Sequence, residues 1–266
     1  MPELPEVETI KETLQPLVGL KLANHLIYRV DMIKQNAFAP ESIIGKRLIS
    51  IKRRGKFLAF HFDKQQNLVF HLGMSGQLYS SSEKKEDQHI HYEAQFDNNA
   101  FLHFRDPRRF GGIWLVSDLE AFFSPLGPEP LTRAFNAGYL AGKTQNRTLP
   151  IKNLLLNQHI VAGIGNIYAD EALFAAGVRP QRAAKELTLD EINSIAQAVK
   201  KVLKAGIKHR GTTFRDYRDG NLQTGNFQKH LKAYGRKDQP CIKCGNPLLN
   251  IRLGGRGTYY CPCCQS

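Results

Sequence analysis

Acidic residues and cysteines are scarce in this chain. Its 266 residues hold 24 Asp and Glu against 37 Lys and Arg, and no cysteine precedes Cys241. A scaffold built on disulfides is therefore excluded for most of the length. No apolar run approaches the roughly 20 residues of a bilayer-spanning helix. The start, Met1-Pro2-Glu3-Leu4-Pro5-Glu6, lacks the basic flank and apolar core of a secretory signal, so the expected compartment is the cytoplasm. No internal repeat is visible.

What is present is positive charge, unevenly placed. Between Lys200 and Arg256 there are fourteen Lys and Arg against Asp216, Asp219 and Asp238, which accounts for +11 of the net +13. A basic C-terminal third is the footprint of a polyanion binder. Nucleic acid is the first partner this implies and an anionic membrane the second. The cations are interspersed with Gly, Thr and aromatics, without a long amphipathic apolar face, which favours nucleic acid. All five cysteines fall in the last 26 residues. Cys241-x-x-Cys244 and Cys261-x-x-Cys264 are two close pairs sixteen residues apart, the pattern of a four-thiolate structural zinc site with no open coordination position. Cys263 is left over and competes with Cys264 as a ligand; the two-residue spacing favours Cys264.

The first residues carry chemistry if Met1 is removed. Pro2 then offers a free secondary amine, and an α-amino group has a reference pKa of about 7.7–8.0, so part of it is unprotonated near neutral pH. Such an amine can attack an electrophilic carbon and form an iminium. Glu3 and Glu6 flank it as proton donor and acceptor. Proline and glutamates also suit the first turn of any helix, so this segment alone leaves both readings open.

Apolar spacing predicts a helix over 3–18 (Val7, Ile10, Leu14, Leu17). Strand-like segments follow at 48–51, 57–62, 68–72, 92–96 and 101–104, with a polar loop at 80–88. The prolines and glycine of 124–130 read as a linker. Helices are expected at 135–142, 151–157, 166–176 and 188–209, the last opened by a Thr188/Glu191 capping box. The fold expected is α+β in two domains: an N-terminal β-sandwich covered by the first helix (2–123), a linker (124–133), a helical domain (134–233) and a zinc ribbon (234–266).

Three glycine-framed loops collect chemistry. Gly163-Ile164-Gly165-Asn166 joins two helices, and Asn166 can cap the second, whose N-terminal amides suit phosphate. An ordinary helix–helix turn has the same signature. His71-Leu72-Gly73-Met74-Ser75-Gly76 projects Met74. Arg105-Asp106-Pro107-Arg108-Arg109-Phe110-Gly111-Gly112 adds cations and an aromatic. Exposed Met, Arg and Phe together are what a wedge that opens a duplex requires.

These segments, together with Pro2 to Thr9, the Arg54-x-Lys56 turn, Leu126-Gly127-Pro128-Glu129-Pro130 and Gly255-Arg256-Gly257-Thr258-Tyr259-Tyr260-Cys261, resemble the formamidopyrimidine-DNA glycosylases, bacterial enzymes that remove oxidised purines such as 8-oxoguanine. The resemblance implies a helix–two-turn–helix in the second domain. It implies Pro2 as nucleophile at C1′, Glu3 as acid, Glu6 as support and Lys56 on the lesion phosphate. It implies Met74, Arg108 and Phe110 in the gap left by the flipped base. His71, His91, Arg109, Lys152, Asn166, Tyr234 and Arg256 are implied as further DNA contacts. A loop of Thr212, Thr213, Arg215, Asp216 and Tyr217 would cover the extruded base. Base excision repair follows: loss of the base, then β,δ-elimination that nicks the strand on both sides. The partner is damaged double-stranded DNA, bound by a monomer in the bacterial cytoplasm with one structural zinc and no organic cofactor.

Two rivals remain at this stage. The sister glycosylase for oxidised pyrimidines shares the proline and the helix–two-turn–helix. The other is a non-catalytic DNA-binding or zinc-ribbon protein that recognises lesions without cleaving them; a retained Met1 would block the amine and support it.

Overall fold

The computed structural model covers Met1–Ser266, and its contacts divide the chain into two units: Met1–Ser124 with His209–Gln228, and Pro125–Lys208 with Lys229–Ser266. In chain order the first unit contains helix α1 (Leu4–Thr13), strands β1 (Leu22–Ile27), β2 (Ile33–Asn36), β3 (Leu48–Arg54), β4 (Phe57–Phe62), β5 (Gln66–His71), β6 (Gln77–Ser81), β7 (Ile90–Phe96), β8 (Phe101–Arg105) and β9 (Gly112–Val116), and the short helix α2 (Leu119–Phe123). Five strands form one sheet in the order β2-β9-β5-β4-β3, and four form another in the order β1-β7-β8-β6. All neighbours are antiparallel except β2 and β9.

Alternation decides which side chains enter the core. Leu58, Phe60 and Phe62 on one face of β4 join Phe70, Ile113 and Leu115, and meet Tyr92, Phe96, Leu102 and Phe104 of the other sheet. Phe70 stands edge-on to Tyr92 and Phe104, at 5.6 and 5.7 Å between ring centres. Into the same core α1 places Val7, Ile10 and Leu14. On the opposite face of the five-stranded sheet, Ala59, Val69 and Val116 are covered by Leu119, Phe122 and Phe123 of α2. The helix expected over 3–18 is shorter. Pro16 has no N–H for the Glu12 carbonyl, so α1 ends at Thr13 and a 3₁₀ turn, Gln15–Leu17, follows.

The second unit contains α3 (Ala137–Thr144), α4 (Ile151–Leu156), α5 (Asn166–Ala176), α6 (Leu189–Lys208), β10 (Leu249–Leu253) and β11 (Arg256–Tyr260). Thr188 and Glu191 do form the reciprocal cap of α6: Thr188 N donates to Glu191 Oε2 (2.8 Å) and Glu191 N to Thr188 Oγ1 (3.2 Å). One face of α6 buries Ile192, Ile195, Val199 and Leu203. The α4–α5 turn is held by Gln158, whose Oε1 accepts from Gly163 N (2.8 Å) while Nε2 donates to Ile164 O (2.8 Å). Strands β10 and β11 form an antiparallel hairpin turned by Gly254 and Gly255, both with positive φ. Within the helical domain expected over 134–233, one stretch departs from the expectation: His209–Gln228 belongs to the first unit. No helix is long and apolar enough to cross a membrane.

Candidate functional site

The start of α1 is fixed by Glu6. Its Oε2 accepts from the backbone N–H of Glu3 (2.8 Å) and its Oε1 from that of Thr212 (2.6 Å). Pro2, Glu3 and Glu6 are buried. One carboxylate therefore joins the Pro2-Glu3 corner to the loop that returns at Gly211, where an added Cβ would lie 2.7 Å from Glu6 Oε1. Tyr217 reinforces the junction by donating to the carbonyls of Glu6 (3.3 Å) and Arg210 (3.2 Å). Thr213 Oγ1 accepts from Gly225 N (2.9 Å), and Arg215 and Asp216 are exposed beside Phe214. The base of this loop is anchored, and its tip presents side chains to solvent.

Lys56 follows Gly55 (φ 57°) in the β3–β4 turn and is 6 % exposed. Burial and the Lys56 charge push the His71 imidazole down to about 4. His71 Nδ1 accepts from Gly73 N–H (3.2 Å), which leaves the proton of the neutral ring on Nε2 as a donor. Met74 and Phe110 are 44 % and 57 % exposed, a large apolar surface to leave in water. The Arg108 guanidinium lies 4.7 Å from the Phe110 ring centre. Arg109 is exposed, in a left-handed conformation. His91 departs from the DNA contact expected of it. It is 2 % exposed and its Nε2 meets the Asp106 carbonyl at 2.9 Å, so it braces the loop from within.

In the second unit Lys152 also departs from its expected role. It is fully buried, with Nζ 2.7 Å from Asp170 Oδ1, 2.8 Å from Thr258 Oγ1 and 3.1 Å from the Gly257 carbonyl. Its ammonium faces these protein acceptors and ties α4 to the β10–β11 hairpin. Burial pushes the Asp170 carboxyl up to about 7 against the pull of Lys152. Asn166 is the first residue of α5, not its cap, which is Gly165, and its Nδ2 donates to Gly257 O (3.0 Å). Arg256 stands exposed next to the Gly254-Gly255 turn. Tyr234 is half-buried against Tyr259, 5.1 Å between ring centres, and its N–H donates to Glu171 (2.9 Å).

The Sγ atoms of Cys241, Cys244, Cys261 and Cys264 all lie within 4.8 Å of one another. The 3.9 Å Cys241–Cys264 and 3.5 Å Cys244–Cys261 separations bracket the edge of about 3.8 Å expected for four thiolates about 2.3 Å from a tetrahedral zinc. Cys263 is exposed and outside this cluster, which settles its competition with Cys264.

Three family models match the chain end to end: the formamidopyrimidine-DNA glycosylase N-terminal domain over residues 1–113, the formamidopyrimidine-DNA glycosylase H2TH domain over 126–218, and the zinc finger found in FPG and IleRS over 238–266. The formamidopyrimidine-DNA glycosylase of Syntrophomonas wolfei is 49 % identical over the full length of both chains. The chain belongs to the formamidopyrimidine-DNA glycosylase family. That of Carboxydothermus hydrogenoformans is 43 % identical, again over both full lengths. Among solved structures, the MutM (Fpg) protein of Thermus thermophilus is 37 % identical, with a TM-score of 0.89 and coverage of 99 % of this chain and 98 % of that one. The wild-type Lactococcus lactis Fpg bound to an N7-benzyl-Fapy-dG-containing DNA is 32 % identical, with a TM-score of 0.92 over all of both chains. In this family member the four clustered cysteines form the site of one structural zinc.

Sequence reasoning missed three acids. Asp106 was seen only as a member of its loop. Asp170 partners Lys152, and the Glu171 carboxylate accepts from the backbone N–H groups of Lys232, Ala233 and Tyr234 at 2.8–3.0 Å. The available signal was position: Asp170 and Glu171 lie in a run of otherwise apolar helix, Ile167 to Phe174, where an acid needs a partner.

Proposed function

We propose that this family member is a bifunctional DNA glycosylase and AP lyase of base excision repair, acting on oxidised purines in duplex DNA. The observation that carries the proposal is the Glu6 junction, which joins the buried Pro2-Glu3 corner to the loop of Thr212, Thr213, Arg215, Asp216 and Tyr217. The nucleophile and the loop that would cover the base share one anchor.

The chemistry starts when Met1 has been removed and the Pro2 nitrogen is a free secondary amine. Its lone pair forms a bond to C1′ of the damaged nucleotide while the C1′–base bond breaks, and the base departs with that electron pair and takes up a proton. The ring oxygen receives a proton from Glu3 as the sugar opens, leaving an iminium between Pro2 and C1′. The iminium acidifies C2′. Loss of that proton expels the 3′ phosphate, a second elimination expels the 5′ phosphate, and water then hydrolyses the iminium to free Pro2. A one-nucleotide gap remains. Glu6, with both oxygens occupied by backbone N–H groups, supports the corner without exchanging protons.

The remaining residues bind and extrude. Unstacking a base costs a few kcal/mol. Met74, Arg108 and Phe110 offset this by filling the vacated space, with Arg108 facing the orphaned base. Lys56, the Nε2–H of His71, Arg109, Asn166, Tyr234 and Arg256 contact the backbone, which positions the protein without reading sequence. The zinc keeps the hairpin that carries Arg256 folded. One active site on one duplex needs only a monomer, with no organic cofactor, in the cytoplasm.

The test is borohydride trapping on a duplex with one 8-oxoguanine opposite cytosine, beside a dihydrothymine duplex. A covalent adduct on the first and a much weaker one on the second supports the proposal. Preference for the second assigns the protein to oxidised pyrimidines, and no adduct on either, from protein lacking Met1, leaves a lesion binder.

A further inference from the structure

Two separate loops carry the exposed Met74 and the exposed Arg108 and Phe110, and one buried carboxylate joins them. Asp106 is 0 % exposed. Its Oδ1 accepts from the Ser75 hydroxyl at 2.7 Å and from Arg108 N–H at 3.3 Å, and its Oδ2 accepts from Gly111 N–H at 2.8 Å. Ser75 Oγ in turn accepts from Arg108 N–H at 3.3 Å. The backbone of Asp106 is itself fixed: its N–H donates to His89 O (2.9 Å), and its carbonyl receives Arg109 N–H (3.1 Å) and faces His91 Nε2 (2.9 Å). The loops also touch backbone to backbone. A Cβ added at Gly73 would lie 2.4 Å from the Phe110 carbonyl carbon, and one added at Gly111 would lie 2.5 Å from the His71 carbonyl oxygen.

The geometry points to Asp106, acting through Ser75, as the positioning residue that locks the Met74 loop and the Arg108–Phe110 loop into a single preformed wedge, so that its contribution is to base extrusion rather than to bond breaking. The inference rests on the reading of Met74, Arg108 and Phe110 as a duplex-opening wedge. Three physical points support it. A carboxylate is a stronger hydrogen-bond acceptor than a neutral oxygen, and here the groups it binds come from both loops. Buried this deeply, neither Ser75 nor Gly111 can exchange its bond for one to solvent. A wedge whose loop backbones are fixed before it meets DNA loses less ordering entropy on insertion, so more of its contact energy remains to offset unstacking. The carboxylate's hydrogen bonds go to Ser75, Arg108 and Gly111, all in the two loops.

The experiment compares two single-turnover excision rates: 8-oxoguanine opposite cytosine in a continuous duplex, and 8-oxoguanine inside an unpaired bubble, where little stacking has to be broken. The quantity read is the ratio of the two. Asp106→Asn keeps the shape but presents an NH₂ to a donor, and Ser75→Ala removes only the hydroxyl; Phe110→Ala gives the ratio for a wedge that has lost its tip. Loss of one hydrogen bond to a charged group corresponds to a fall of about 10- to 100-fold. The ratio should fall by that factor in Asp106→Asn and in Ser75→Ala, with the double variant no worse than Asp106→Asn alone. A fall of equal size on both substrates, or an unchanged ratio in Asp106→Asn and Ser75→Ala while Phe110→Ala lowers it, overturns the inference and leaves the wedge standing. An unchanged ratio in Phe110→Ala overturns the wedge itself. If Asp106→Asn has no melting transition, Ser75→Ala decides between these outcomes.

Discussion

Replacing Glu6 by glutamine tests whether one carboxylate holds the nucleophile corner and the covering loop together. Both oxygens of Glu6 are occupied, by Glu3 N–H at 2.8 Å and Thr212 N–H at 2.6 Å, and the residue is 2 % exposed. Glutamine can satisfy one of these donors; its NH₂ then faces the other. The change removes a hydrogen bond to a charged group, which contributes about 1.5–3 kcal/mol, and strands a buried N–H at about 1–3 kcal/mol. A net loss of roughly 3 kcal/mol corresponds to a fall in melting temperature of about 6–12 °C for a protein of this size. Calorimetry at pH 7 measures the fall, and amide hydrogen exchange at Thr212 locates it, since that amide should lose protection while the sandwich core keeps it. Because the corner and the loop share this anchor, base removal should slow more than cleavage of a preformed abasic site. A Glu6→Gln melting temperature within about 2 °C of the parent, with the Thr212 amide equally protected, would refute the reasoning.

Other outcomes follow from the same structure. Lys152→Met leaves Asp170 buried without its cation. Its folded-state pKa then stands far above the unfolded value, so the variant's stability falls as pH rises above about 4. The parent shares that fall up to its own Asp170 value of about 7. Denaturant unfolding should therefore find the variant's deficit constant from pH 5 to 7 and about 1.4 kcal/mol larger at pH 8, whereas a deficit that does not grow above pH 7 would argue against a buried ion pair. His71 is neutral in the fold, with its pKa at about 4, and binds a proton in the unfolded chain at about 6.5. It therefore contributes up to about 3 kcal/mol that is lost as pH falls from 6.5 to 4, and His71→Gln should flatten that acid limb; an unchanged slope would count against it. Metal analysis should give one zinc per chain in the parent and in Cys263→Ser and none in Cys261→Ser. Chelation should release the hairpin and weaken duplex binding. Retained zinc in Cys261→Ser would overturn the ligand set.

What the sequence disclosed follows from which interactions are local. The β3–β4 hairpin was readable because Leu58, Phe60 and Phe62 alternate with residues of the other face. The cysteine pairs were readable because spacing within each pair sets the ligand geometry. Strand β2, Ile-Lys-Gln-Asn, has no such pattern and owes its existence to parallel pairing with β9, far along the chain. The segment His209–Gln228 follows the helical domain in sequence yet packs with the first unit, through Thr212 and Tyr217 onto Glu6. Among site residues, exposure was the missing quantity. Lys152 and His91 have the residue types of DNA contacts, but Asp170 and the Asp106 carbonyl claim them, and neither pairing is marked in the sequence. Ser75 and Asp106 were in view as loop residues. Their bond closes across more than thirty positions and becomes visible only when the loops are folded.

The central claim is that the Pro2 amine performs the attack. Its most direct test is to reduce the protein–DNA intermediate with borohydride on an 8-oxoguanine duplex, digest the product and locate the adduct by mass spectrometry. The account predicts a sugar remnant on the nitrogen of Pro2, in a chain that begins at Pro2. An adduct on Lys56 or any other lysine, or reacted protein that still carries Met1, would contradict it.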